Sequence, residues 1–205
     1  MDFVNVKGLV WDSFMVESVF FVSILSMLSI FLASALCWNN EKFDFFPPPH
    51  KQSWQYRVFW MLFRIMFIGL VMLSFLDFNA EPLLGSIDRY GVWLPLMIIG
   101  FGGATYFSAK LGWDNAHGEK GGLVTSGAYR WSRNPIYVSS LVGMLGWGLF
   151  VNSYYVSMIL ALWALLYIAA PFFEESWLER AYGPDFVEYK NSTPRFLGFP
   201  RNMPK

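Results

Sequence analysis

The chain is poor in the residues from which most metal centres and disulfide frameworks are built. It carries one cysteine, Cys37, and two histidines, His50 and His117, in 205 residues. A lone thiol excludes an internal disulfide framework and a cysteine-rich metal site. Two histidines are too few for a histidine-based zinc centre, so no metal is expected. Charge is scarce as well: Asp, Glu, Lys and Arg make up 15% of the chain, and the formal net charge is zero. No basic footprint for nucleic acid follows from that balance. Internal repeats and low-complexity tracts are also lacking.

Apolar residues are plentiful, at 55% of the chain with a mean hydropathy of +0.38. They gather in long blocks, whereas a soluble domain disperses them by period. A spanning helix needs about 20 mostly apolar residues. Candidate spans are 14–38, with Glu17 near its start; 58–78, with Arg64 able to snorkel or face the bundle; and 91–108, kinkable at Pro95 and loosened by Gly100, Gly102 and Gly103. The short run 135–150 and the run 154–173, joined by Asn152-Ser153, form a helical hairpin. The expected fold is all-α, an integral membrane bundle of five transmembrane helices. Ala33-Ser34-Ala35 has the small-x-small look of a cleavage site. Asp2, Asp12 and Glu17 against Lys7 alone, and the length of the run, argue instead for a retained span.

Basic residues choose the orientation. With five spans, Lys42, Lys51, Arg57, Lys110, Lys120, Arg130, Arg133, Arg180, Lys190, Arg195, Arg201 and Lys205 share one side, and Lys7 and Arg89 the other. The amino terminus is therefore expected outside and the carboxy terminus in the cytoplasm. The loop 121–137 and the Glu174 segment then meet on the cytoplasmic face. The loop 38–57, with Pro47-Pro48-Pro49, reads as a stiff polyproline-like connector and nothing more. Beyond Glu174, Leu178, Ala181, Tyr182, Phe186 and Tyr189 fall near helical spacing with charges between them, interrupted at Gly183-Pro184. This predicts a C-terminal amphipathic interfacial helix that covers a pocket. The tail after Pro194 reads as irregular. Residues 1–110 thus hold helices 1–3 with their connectors, and 111–205 a catalytic half.

Glycine-rich, polar backbone at a membrane boundary is costly and calls for a reason. Gly121, Gly122 and Gly127 let backbone amides approach a ligand, and Pro135 suits the first position of a helix whose amides favour negative charge. A flexible loop before an ordinary helix start fits the same residues. Arg133 reads either as a boundary anchor or as a ligand contact, and Tyr129 and Tyr137 either as interface aromatics or as pocket residues. Arg133 and Tyr137 share a face if the helix starts early. Gly143, Gly146 and Gly148, with Ser139 and Ser140, favour close helix packing over ligand contact. Glu174-Glu175, at the expected end of a span, can accept from ribose hydroxyls or an amino group and offset a sulfonium. A solvated cap is the plainer alternative, although carboxylates oppose the dipole at that end.

Three stretches now combine: Leu123-Val124-Thr125-Ser126-Gly127-Ala128-Tyr129, Arg133-Asn134-Pro135-Ile136-Tyr137, and Glu174-Glu175 with Leu178, Tyr182-Gly183 and Glu188-Tyr189-Lys190. Over 112–200 this ordered set resembles the isoprenylcysteine carboxyl methyltransferase family, itself similar to the membrane phospholipid methyltransferases. The resemblance implies S-adenosylmethionine as donor. It assigns the cofactor site to Gly121, Gly122, Leu123, Val124, Tyr129, Asn134, Pro135, Ile136, Tyr137 and Glu174. The G-x-G and glutamate pair of the phospholipid enzymes resemble Gly146-Trp147-Gly148 and Glu174-Glu175. Two positions depart from the pattern. Asn134 stands where the family usually has histidine, keeping hydrogen-bonding capacity without a titratable proton. Ala170 stands where the eukaryotic enzymes carry an arginine for the substrate carboxylate. That loss argues against a prenylcysteine carboxylate, or requires Arg133 or Arg64 to stand in.

The expectation is a membrane methyltransferase of prokaryotic type, in the inner (plasma) membrane, acting on a lipophilic small-molecule or lipidated acceptor. A prenylcysteine-like carboxylate, a thiol or a lipid head group would serve. Arg133 is expected to orient the acceptor and Glu174 to grip the donor, with the acceptor arriving from the membrane lipids. The alternatives are an NADPH-dependent enzyme like the membrane sterol reductases, and a non-catalytic membrane subunit.

Overall fold

A computed structural model describes residues 3–37, 45–48, 50–79, 85–112 and 122–199. Its regular elements are all helical: α1 (Phe3–Cys37), α2 (Trp54–Leu76), α3 (Ser86–Leu111), α4 (Pro135–Val151), α5 (Tyr154–Tyr182) and α6 (Pro184–Ser192). Four are long and apolar enough to cross a membrane: α1 over Ser13–Leu36, α2, α3 and α5. The expected fourth span, α4, is shorter, with 17 residues, about 25 Å at the helical rise. The third span starts earlier than its hydropathy suggests. A π-helical turn, Arg89–Trp93, leads into Leu94–Leu111, so Pro95 falls just after the wide turn, where its missing N–H disturbs the ladder least.

Packing follows the small residues. The helices α3 and α4 touch backbone to backbone: a Cβ on Gly100 would lie 2.2 Å from the Gly143 nitrogen, and one on Gly146 would lie 2.4 Å from the Met97 nitrogen. Glycine is required there by lack of space. Across the bundle, Gly69 of α2 leaves room for Ser23 of α1. Helix α5 joins the two pairs through Val156, Ile159, Trp163 and Leu166, which pack with Met27, Ile30, Met66 and Leu70 in the buried core. Large apolar side chains such as Leu32, Phe75, Ile99 and Leu165 point outward, as a lipid-facing surface requires.

The hydropathy reading ended the last span at residue 173; the helix instead continues through Pro171 to Tyr182. Glu174 and Glu175 are therefore mid-helix residues, and the helix-end cap considered for them does not exist. The helix stops at Gly183, whose φ of 59° is left-handed. At the end of the bundle far from these glutamates, Ser153 accepts from the Val156 N–H and donates to Asp77 at 2.5 Å. There Arg89 donates to the Asn79 carbonyl at 2.7 Å and lies over the Phe78 ring.

Candidate functional site

The other end of the bundle is open. Between the start of α2, the end of α3, the loop before α4 and the last turns of α5 lies a cavity of about 330 Å³, within the usual range of roughly 300–1,000 Å³ for small-molecule sites. Its lining contains Gly122, Leu123, Val124, Tyr129, Arg133, Asn134, Pro135, Ile136, Tyr137, Glu174 and Glu175. Gly121 lies outside the described residues. Gly146 and Gly148 do not border the cavity: Gly146 is pressed on α3 and Gly148 faces Leu160 of α5. Their place is corrected to helix packing.

The loop is shaped by glycine and pinned by tyrosine. Gly122 at φ 129° and Gly127 at φ 65° take backbone conformations that side chains disfavour. They lead an extended strip into the 3₁₀ turn Gly127–Arg130. Tyr129 is buried under this turn and donates to the Phe107 carbonyl, while Tyr189 of α6 donates to the Tyr129 carbonyl at 2.7 Å. Burial pushes both phenols above their ordinary value, so both remain neutral donors at physiological pH. Helix α6 is thereby fastened over the loop. Leu178, Tyr182, Phe186 and Tyr189 supply the covering face.

The adjacent glutamates have different surroundings. Glu174 accepts a 2.5 Å hydrogen bond from Tyr137, whose ring lies 4.9 Å from that of Tyr167. Tyr137 is its only hydrogen-bond partner among the described residues. Glu175 is enclosed by cations. Arg195 donates to both its oxygens, at 2.7 and 2.8 Å, Arg133 pairs with it at 2.9 Å, and Lys190 stands 3.5 Å away while also bonding Glu179. The Glu179 hydrogen bond, and Glu175 nearby, hold the Lys190 ammonium above its ordinary value; the Glu175 bond does the same for Arg195. With its oxygens committed, Glu175 braces the site and has little left for a ligand.

Arg133 precedes α4 in an irregular segment, so it does not share a helical face with Tyr137. Its backbone N–H donates to the Pro194 carbonyl at 2.9 Å, and the Asn134 side-chain amide donates to the Arg195 carbonyl at 2.9 Å. Its side chain is 8% exposed, with one nitrogen on Glu175 and two, Nε and Nη1, buried without a hydrogen-bond partner. Burial pulls the guanidinium below its ordinary value and Glu175 pulls it back up. Buried donors are nearly always paired in a finished protein. The two nitrogens are enclosed by protein, while Arg133 as a residue belongs to the cavity wall.

Other lining residues were not foreseen. Phe46, Pro47 and Pro48, read as a mere connector, are part of the wall, with Phe46 stacked on Phe59 of α2 at 5.3 Å. Tyr167 could have been found, being one helical heptad from Glu174 and so on its face. Arg195 carries no comparable signal, since it lies in an irregular tail that reaches Glu175 only through the fold. Ala170, where the resemblance implies arginine, is fully buried on the wall, and Arg133 is the one Lys or Arg among the described residues of the lining. Arg64 is exposed on α2, outside this lining.

Residues 93–185 match the phospholipid methyltransferase family. Over 80 residues the chain is 46% identical to the cobalt-zinc-cadmium resistance protein CzcN of Cupriavidus metallidurans. Over a stretch of the same length it is 42% identical to the nickel-cobalt-cadmium resistance protein NccN of Alcaligenes xylosoxydans xylosoxydans. Each match covers 38% of this chain and 36% of the relative, so the chain spans about a third of the length of these curated relatives. No solved structure matches.

Proposed function

From the premise that residues 93–185 are a domain of the phospholipid methyltransferase family, we propose that this is an integral membrane S-adenosylmethionine-dependent methyltransferase with a lipophilic acceptor. The observation that carries the reading is the contact of Tyr137 with Glu174 on the wall of one cavity. It joins the start of α4 to α5 at the point where a donor would sit. When bound, S-adenosylmethionine supplies a methyl group activated by a sulfonium.

The residues suit that group. Glu174 offers a carboxylate oxygen beyond the one bonded to Tyr137, for hydroxyl or ammonium donors, and its charge favours a nearby cation. The amides at the start of α4 favour a carboxylate. Arg133 places a positive charge on the cavity wall, suited to an anionic acceptor. The protein's task in methyl transfer is to align the partners and exclude water. The covering face of α6 and the aromatic wall from α2 serve the second need.

In the membrane, α4 completes a five-span bundle. It runs from the cavity end to the far end, where the Asn79 N–H bonds the Val151 carbonyl. The amino terminus lies outside, α6 rests amphipathically on the cytoplasmic interface, and the membrane is the inner one. Purified protein in nanodiscs, titrated with S-adenosylmethionine and separately with NADPH, tests the assignment. Saturable binding of the first alone supports it. Binding of NADPH alone points to a reductase-like enzyme, and binding of neither to a non-catalytic subunit.

A further inference from the structure

Beyond α6 the chain turns back onto the bundle. The buried Thr193 closes the helix by donating its N–H to the Tyr189 carbonyl at 3.0 Å. Residues 194–199 then run, without regular structure, along the segment that precedes α4. The Arg133 N–H donates to the Pro194 carbonyl at 2.9 Å, and the Gly198 N–H to the Trp131 carbonyl at 3.2 Å. Between these two bonds the Asn134 side-chain amide donates to the Arg195 carbonyl at 2.9 Å. The rings of Trp131 and Phe199 meet edge to face at 5.7 Å. The tail is a strap laid on a loop.

Arg195 anchors this strap to α5. Its guanidinium grips both oxygens of Glu175, at 2.7 and 2.8 Å, and lies 4.0 Å from the centre of the Phe172 ring. A planar fork held on a carboxylate and stacked on a ring keeps little freedom. The backbone carbonyl of the same residue is thereby held in place, and it is the atom that Asn134 bonds. A carbonyl only accepts, so the amide must turn its nitrogen toward the strap. The amide oxygen then points elsewhere. It has no hydrogen-bond partner among the described residues and is not enclosed. Asn134 borders the cavity; Arg195 does not.

We infer that Arg195 is a positioning residue of the donor site and acts through Asn134. Its side chain ties the strap to Glu175, and its carbonyl sets which way the Asn134 amide faces. The cavity is thereby offered an oxygen, an acceptor for the N–H or O–H groups of the methyl donor. With the strap released the amide can flip, setting its own N–H groups against those of the donor. The inference rests on the methyltransferase reading and adds to it a residue beyond the 93–185 domain.

The full chain in nanodiscs is titrated calorimetrically with S-adenosylmethionine as wild type, Arg195→Ala, Asn134→Ala and the double variant. Each single change is expected to weaken binding about tenfold, the scale of one lost hydrogen bond. The double variant should also be about tenfold weaker, because without Asn134 there is nothing left for Arg195 to orient. Arg195→Lys still pairs with Glu175 and should stay within about threefold of wild type. Losses that multiply to about a hundredfold in the double variant overturn the inference, since the tail would then act on the site independently of Asn134. Wild-type affinity in Arg195→Ala overturns it as well. Thermal midpoints are recorded for every variant. If Arg195→Ala does not fold, the cycle is run with Arg195→Gln, which keeps a donor for Glu175 without the fork. A wild-type chain that binds no S-adenosylmethionine defeats the methyltransferase reading and this inference together, whereas multiplying losses defeat the inference alone.

Discussion

The two ends of the bundle use polar groups in opposite ways. At the far end, Ser153 and Asp77 bond each other, Asn79 bonds the Val151 carbonyl, and Arg89 is held by Asn79 and the Phe78 ring. These groups close helix ends. At the cavity end, Arg133 pairs with Glu175, and Glu174 has only Tyr137 as a hydrogen-bond partner among the described residues. The cavity beside Glu174 marks this end as the one for a ligand. Glu174 and Glu175 repeat the contrast within a single helical turn: one is available and the other is consumed by Arg133, Arg195 and Lys190.

The largest effect should come from Glu174. Glu174→Ala is expected to weaken S-adenosylmethionine binding by on the order of 100-fold, the scale of a lost charge-assisted bond in a dry site. Calorimetry showing unchanged affinity would erase the difference between the two glutamates. Glu175→Gln should act on stability instead. It leaves three cations facing a neutral amide, and breaking such a partly buried cluster costs about 2–4 kcal/mol. A thermal midpoint equal to wild type would mean that the cluster does not brace the tail.

Next in size, Gly100→Ala forces a methyl into the Gly143 backbone. Overpacking of this kind costs about 1–3 kcal/mol. The α3–α4 pair should loosen, as read by faster proteolysis or hydrogen exchange in both helices, and exchange confined to α3 would contradict the seam. The smallest effect belongs to the far end. Ser153→Ala removes a helix cap worth about 1 kcal/mol and should leave donor affinity within twofold of wild type. A larger change in affinity would show that the two ends are coupled.

Much of the site was legible because its pieces are local. The glycines of the loop, the proline that starts α4 and the carboxylate pair each carry a chemical signature in a few residues. Hydropathy marked where the helices lie but misjudged the length of α5, because Glu174 and Glu175 look like the end of an apolar run although the backbone ladder continues past them. It could not assign Gly146 either, since the same small residue admits a ligand or a neighbouring helix, and only the position of Met97 decides. Arg195 and the Phe46-Pro47-Pro48 wall were beyond reach. Their contacts join positions far apart in the chain, with no periodicity between them.

The backbone seam of α3 and α4 also dictates where this protein can be remodelled. With Gly100, Gly143 and Gly146 permitting no added atom without displacement, the start of α4 is anchored and its side of the pocket has little freedom to drift. The opposite side consists of the removable rings of Phe46, Phe59, Trp60 and Phe63. Variation in what the pocket accepts should therefore concentrate on those rings, where trimming one enlarges the chamber while the seam stays intact.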